Sequence, residues 1–275
     1  MFHSGGGGTD LASCSFIDKN INHNYNSSMF TYSYGDVMKK GFTLAEVLIT
    51  LGIIGIVAAL TIPTLIQNYQ KKETATRLTQ TYSILSQAVR MAQVEYGDIS
   101  TWGYQNDKDT SHNFADTYKM ASVIAEKYFL PYIKIAKNYG TTTPEKAGFV
   151  SDYNTKDGRV YKVTVQYLVE LINGVVLMFY YNGNINSDGT AFKLSNPTIF
   201  VDLNGKSGPN TQGIDFFAFV LDSSQNKLVA FGDGYSRDAL KNYCKKDSSL
   251  ALYDNLRCTE LIKIDNWKIA DDYPW

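Results

Sequence analysis

The sequence predicts an α+β fold: one long N-terminal helix, membrane-spanning in its first half, packed through its second half on an antiparallel β-sheet. Three observations carry this. Phe42 to Ile62 is an apolar run, and no Lys or Arg occurs between Phe42 and Gln70. About 20 apolar residues of helix cross a hydrocarbon core of about 30 Å, so the run is long enough to span. From Ala75 the apolar residues recur in steps of three and four, as Ala75, Leu78, Tyr82, Leu85, Val89, Ala92 and Tyr96, which is one stripe of an amphipathic helix. From Val160 onward, short runs rich in branched and aromatic residues alternate with turn signals, the pattern of antiparallel strands.

Residues 1–41 read as a leader. Its first 37 residues, with the Gly5–Gly8 run and many Asn and Ser, have no apolar period and read as disordered or as lying upstream of a true start at Met38, with Met29 as another start. Lys39 and Lys40 stand before the apolar run and place its front end in the cytoplasm by the positive-inside rule. Residues 42–63 form the membrane segment. Glu46 does not fit a plain anchor, because an ionisable group at membrane depth costs a few kcal/mol or more unless it is paired. A free amine on a neighbouring helix is a suitable partner, and cleavage between Gly41 and Phe42 would create one at the membrane face. A secretory signal peptide ending near Val57-Ala58-Ala59 is the competing reading, but Glu46 and the length of the run argue against it.

The stretch Lys39-Lys40-Gly41-Phe42-Thr43-Leu44-Ala45-Glu46-Val47-Leu48-Ile49 resembles the N-terminal signal of type IV pilins and of the pseudopilins of type II secretion. The resemblance implies that a prepilin peptidase cuts between Gly41 and Phe42 and methylates the new Phe42 amine. It implies that Glu46 pairs with a neighbour's N-terminus during assembly, and that Pro63 corresponds to the helix-kinking proline of many pilins. The implied fold is pilin-like. The implied partners are the prepilin peptidase, other pilin or pseudopilin subunits and an inner-membrane assembly platform. The implied location is the inner membrane, crossed once with the N-terminus in the cytoplasm, and then an extracytoplasmic filament.

Past Pro63 the helix is expected to continue over 64–97, with Lys71, Lys72, Glu73, Arg77, Gln80 and Arg90 off the apolar stripe and Gly97 as its stop. Residues 98–275 form the extracytoplasmic globular domain. It opens with a polar loop over 98–113. A second helix follows from Phe114 to Phe129, with Phe114, Tyr118, Ala121, Ile124 or Ala125, and Tyr128 on one face, and Leu130-Pro131 ends it. Thr141-Thr142-Thr143-Pro144 is expected to begin another loop, and the segment from Ala147 to Arg159 to stay irregular. Strands are expected over Val160–Tyr167, Val175–Tyr181, Thr198–Leu203, Asp215–Leu221 and Lys227–Phe231, with Asn173-Gly174 as a tight turn. The tail Leu261–Ile269 is expected to pack on the sheet with Trp267 buried.

A net charge of −1 leaves no electrostatic footprint for nucleic acid. His112 is the one histidine after Gly41, so a zinc cluster or a Ser-His-Asp triad in that part would have to rest on it. Gly205-Lys206-Ser207 ends like a phosphate-binding loop, but Phe200 stands where that motif needs glycine. No catalytic motif is present, which argues against an enzyme. The stretch Asp202 to Asp215 concentrates oxygen ligands and glycines. Asp202, Asn204 and Asp215 are its candidate calcium ligands, and the alternative is a turn in which Asp and Asn satisfy local backbone groups. Asn182–Gly189 reads as a plain turn. Cys244 and Cys258 favour one disulfide in an exported domain, the alternative being two reduced core thiols, and Cys14 is left over. Such a bridge resembles the disulfide-bounded loop of many type IV pilins.

The leading expectation is therefore a structural subunit, cleaved, methylated and polymerised through its apolar helix into a type IV pilus or a type II secretion pseudopilus. The alternative is a membrane-tethered extracytoplasmic binding protein that uses the same domain to hold a ligand.

Overall fold

A computed structural model describes residues 41–102, 114–181 and 196–275. The leader through Lys40, His112, most of the polar loop before the second helix and the Asn182–Gly189 turn lie outside the described residues. The chain divides into a first unit ending at Ile53 and a second running from Ile54 to Trp275.

Helix α1 spans Leu44–Tyr96 and is assigned without a break across Pro63. Pro63 lacks an N–H, so the ladder there loses one bond while the helix continues on both sides. Gly97, at φ 78°, ends it in the left-handed conformation that glycine adopts without a Cβ clash. The expected stripe is the buried face of the second half. Ala75, Leu78, Leu85, Val89 and Ala92 are buried, joined by Thr81 and Ala88, while Tyr82 and Tyr96 are partly buried.

Helix α2 (Phe114–Tyr128) buries Ala121, Ile124, Ala125 and Tyr128, as its period requires. Among the described residues eight strands follow. Six of them, β1 (Ile135–Thr142), β4 (Gln166–Leu171), β5 (Val176–Tyr180), β6 (Thr198–Asp202), β7 (Phe216–Asp222) and β8 (Lys227–Ala230), form one antiparallel sheet in the order β1-β4-β5-β6-β7-β8. The short β2 (Asp152–Asn154) and β3 (Val160–Lys162) pair with each other. Gly174, at φ 80°, makes the β4–β5 turn where Asn173-Gly174 places it.

Both faces of the sheet are covered. Tyr167, Val169, Leu177, Phe179, Val201 and Phe219 face the main core with α1 and α2. The alternate residues Leu168, Val176, Met178, Phe200, Phe216 and Ala218 join a second core with Phe149, Tyr153, Val163 and Leu256. Burial on both sides explains why the strands read as continuous apolar runs rather than alternating ones.

The structure corrects the sequence reading in several places. The expected loop after Thr141 contains the end of β1 and helix α3 (Pro144–Ala147), the segment expected to be irregular contains β2, and Phe149 and Tyr153 join the second core. The strand expected over Val160–Tyr167 is split between β3 and β4. Helix α4 (Arg237–Cys244) lies where the sequence reading places no element, and α5 (Cys258–Ile264) takes in the first part of the tail expected over Leu261–Ile269. Trp267 is partly buried rather than buried: it stands two residues past the Asp265 cap of α5, at φ 57°, and lies on Tyr82 with ring centres 4.8 Å apart while it borders a surface groove.

Candidate functional site

The N-terminal segment is read first, within its own unit. Gly41 and Phe42 are exposed, with Phe42 at 87% of its full surface, so the Gly41–Phe42 bond is open. The chain enters α1 one residue after Thr43, and Glu46 is the third residue of the first turn. Thr43 N–H and Thr43 Oγ1 donate to Glu46 Oε2 at 2.8 and 2.9 Å, and Glu46 N–H donates to Thr43 Oγ1 at 3.2 Å. This reciprocal pair is a capping box, which satisfies two of the backbone donors a helix start leaves orphaned. The signal was legible as Thr43-x-x-Glu46 ahead of an apolar run. Glu46 therefore has a local role in starting the helix, besides any role between subunits.

From Leu44 to Ile66 the apolar side chains of α1 are exposed, Leu60 at 74% among them. By length and composition this helix is fit to cross a membrane.

The Asp202–Asp215 stretch brings its three candidate ligands together. Asn204 Nδ2 donates to Asp215 Oδ2 at 3.0 Å and to the carbonyl of Gly208 at 3.0 Å. Asp215 also accepts from Asn210 N–H at 2.7 Å and Thr211 N–H at 2.6 Å. Asp202 accepts from Tyr153 Oη–H at 2.8 Å and from the N–H groups of Asn204 and Gly205 at 3.1 and 2.8 Å. Burial pushes the Asp202 carboxyl up to about 7 against these three donors, and burial raises that of Asp215 as well. A calcium ion needs six to eight oxygens. Here the carboxylates are already occupied by donors, and Asn204 turns its nitrogen toward Asp215. Among the described residues no three His, Cys, Asp or Glu side chains gather as metal ligands. Each carboxylate oxygen of Asp202 and Asp215 has a donor, while the buried Oδ1 atoms of Asn204 and Asn210 have no partner among the described residues.

Cys244, the last residue of α4, and Cys258, the first of α5, are joined by a disulfide with Cα atoms 5.2 Å apart. Both are buried in the main core. Gly213 ties the acidic turn to this bridge, because a Cβ there would come within 2.5 Å of Cys258 Sγ. Tyr273 Oη–H donates to the Gly213 carbonyl at 2.5 Å, and Lys156 Nζ donates to the Pro274 carbonyl, which fixes the C-terminal segment on the same corner.

Comparison with known proteins adds the following. The family described as "Family of unknown function (DUF6613)" matches residues 64–275, and the prokaryotic N-terminal methylation motif matches residues 37–62. "Prepilin peptidase-dependent protein D" of Escherichia coli (strain K12) is 38% identical over 63 residues, which cover 23% of this chain and 42% of that protein. The chain thus spans less than half the length of this curated relative. No solved structure matches.

Proposed function

Because the chain belongs to the family of unknown function (DUF6613) and its N-terminus is of the type IV pilin and pseudopilin kind, we propose that it is a filament subunit, cut between Gly41 and Phe42 and N-methylated on Phe42 by a prepilin peptidase. On this reading the exposed apolar half of α1 anchors the subunit in the inner membrane. The anchored subunit then engages an assembly platform and packs among like helices in a type IV pilus or a type II secretion pseudopilus. The observation that supports it most is the continuity of an open Gly41–Phe42 bond with an exposed apolar helix that carries one carboxylate, Glu46, in its first turn.

The chemistry of assembly follows from that carboxylate. In a filament, packing of helices removes water from around Glu46. An unpaired charge there costs several kcal/mol, and a neighbour's Phe42 ammonium offsets it. Methylation keeps the amine charged. Any other axial offset would leave both charges unmatched, so the pair sets the register.

The capping box makes Glu46→Gln a clean test. Glutamine closes the same box from the same position, so the variant keeps the helix start and loses only the charge. The expected result is normal membrane insertion and a normal N-methylated Phe42 by mass spectrometry, with reduced protein in the sheared surface fraction at equal expression. Wild-type assembly by Glu46→Gln would sink the register role. An N-terminus near Leu60 would sink the processing reading.

The alternative, a membrane-tethered extracytoplasmic binding protein, takes its support from a cleft of about 630 Å³ lined by Glu73, Arg77, Asn204, Asp215 and Trp275, among others. A tethered receptor tolerates Glu46→Gln in every readout, so the same experiment separates the two.

A further inference from the structure

Two clefts flank α1 just beyond its apolar half, on opposite sides. At about 100° per residue, Asn68, Lys71 and Lys72 share one side of the helix, and Gln70, Glu73 and Arg77 share the other. On the second side Arg77 is consumed internally, donating to the carbonyls of Leu203 and Asn173 at 2.5 and 3.1 Å and lying 3.9 Å from Glu73. The first side is a groove of about 370 Å³ between α1 and the C-terminal segment, lined by Lys71, Lys72, Trp267, Lys268 and Asp271, among others. Among the described residues Lys71, Lys72 and Lys268 have no ion-pair partner. Asp271 alone opposes them in the groove, because the neighbouring Asp272 is held by Arg237 and Lys241.

The position of the groove on the helix says what it faces. Exposed apolar residues run to Ile66, an exposed Tyr69 follows, and Lys71 and Lys72 come next. Hydrocarbon, aromatic and base is the order met at a membrane boundary. The five residues from Ile66 to Lys71 rise about 7.5 Å, close to the thickness of one headgroup layer. Side chains on a helix lean toward its N-terminus, here toward the bilayer, and lysine stems lie along apolar surface with the ammonium at the headgroups. Trp267 adds an amphipathic ring on the groove wall.

We propose that this groove holds the phosphate of an anionic phospholipid headgroup in the leaflet where α1 emerges, with Lys71, Lys72 and Lys268 as its cationic contacts. The inference rests on the membrane-anchor reading above. It gives the unassembled subunit a fixed roll about its helix, with the groove against the headgroups and the Glu73 side turned away.

The test uses the full chain reconstituted in phosphatidylcholine vesicles, with and without phosphatidylglycerol. Lysine acetylation rates are read by peptide mass. Lys134 is the reference: it is exposed and lies two residues from Tyr132, which hydrogen-bonds Glu95, about 35 Å further along α1. Anionic vesicles are expected to slow acetylation of Lys71, Lys72 and Lys268 by about fivefold relative to Lys134, the factor one basic side chain gains near an anionic surface. High salt should restore the rates, and Lys71→Glu with Lys72→Glu should remove the protection at Lys268. Equal rates in the two vesicles would overturn the proposal. Equal protection by inorganic phosphate in neutral vesicles would assign the groove to a free anion instead. Protection that grows with protein density in neutral vesicles would assign it to a second copy. Extraction of the chain from both vesicles by alkaline carbonate would overturn the anchor reading itself, and this proposal with it.

Discussion

The two halves of α1 share one backbone conformation and are both rich in apolar residues, but they meet their surroundings in opposite ways. Between Leu44 and Ile66 no side chain is buried, whereas from Ala75 to Ala92 seven are. The first half is apolar on every side, so no rotation of the helix could hide it on one surface. The second half confines its apolar residues to a stripe and places Glu73, Arg77 and Arg90 off it, so one domain face suffices. Apolar surface gains about 25 cal/mol for each Å² removed from water. The first half must collect that gain from lipid or from neighbouring helices. Secondary structure is common to both halves, and the distribution of apolar residues around the helix decides the partner.

The largest expected effect tests this contrast directly. Leu85→Ala, in the buried stripe, should destabilise the domain by about 2–5 kcal/mol, whereas Ile56→Ala in the exposed half should leave its unfolding nearly unchanged. Denaturant titration of the detergent-solubilised full chain measures both, and equal losses would break the comparison. Next, reducing the Cys244–Cys258 bridge should remove about 3 kcal/mol from the domain without altering how the chain is extracted from membranes. Co-loss of anchoring and stability would show that the two halves are not independent.

A somewhat smaller loss, about 1–3 kcal/mol, is expected for Asp215→Ala, which strands the N–H groups of Asn210 and Thr211 and the Asn204 amide. In the wild type, added calcium should leave the melting temperature unchanged, because binding to the native state alone would raise it and the carboxylates are already engaged. A calcium-dependent rise would make this turn a cation site. The smallest expected effect is a pH slope. Asp202 binds its proton more tightly in the folded chain, at about 7, than in the unfolded chain, where a carboxyl titrates near 4. Its contribution is therefore full below about pH 4 and is lost as pH rises through 7. Asp202→Asn should flatten stability across that window, and an unchanged slope would discharge Asp202 from the effect.

How much of this was legible in the sequence varies by region for physical reasons. α1 and α2 follow from periodicity, and β5 to β8 from runs of branched and aromatic residues bounded by turn residues, because the helices bury one face and the sheet both. β1 escaped because it is an edge strand: Ile135–Thr142 buries no residue and carries two register shifts, so it shows no alternation. α4 and α5 are too short for a clear period. Ser236 caps α4, its side chain accepting from Ala239 N–H, a signal that the sequence reading did not take up. At the candidate site, the Gly41–Phe42 junction and Glu46 stood out by type and position. The hydrogen bonding of the acidic turn did not, because Asp202 is reached by Tyr153, 49 residues away, and Asp215 by a chain reversal that composition does not encode.

The irregular edge of the sheet has a further consequence. A strand that leaves its outer N–H and C=O groups free is an invitation to stack, and crowding many copies side by side raises that hazard. In β1, the shifts between Ile135 and Lys137 and between Asn138 and Gly140 spoil the spacing a foreign strand would have to match, and Lys137 adds a charge at the rim. At the other edge, β8 is four residues long. Edge-to-edge stacking through this sheet is thereby disfavoured at both rims.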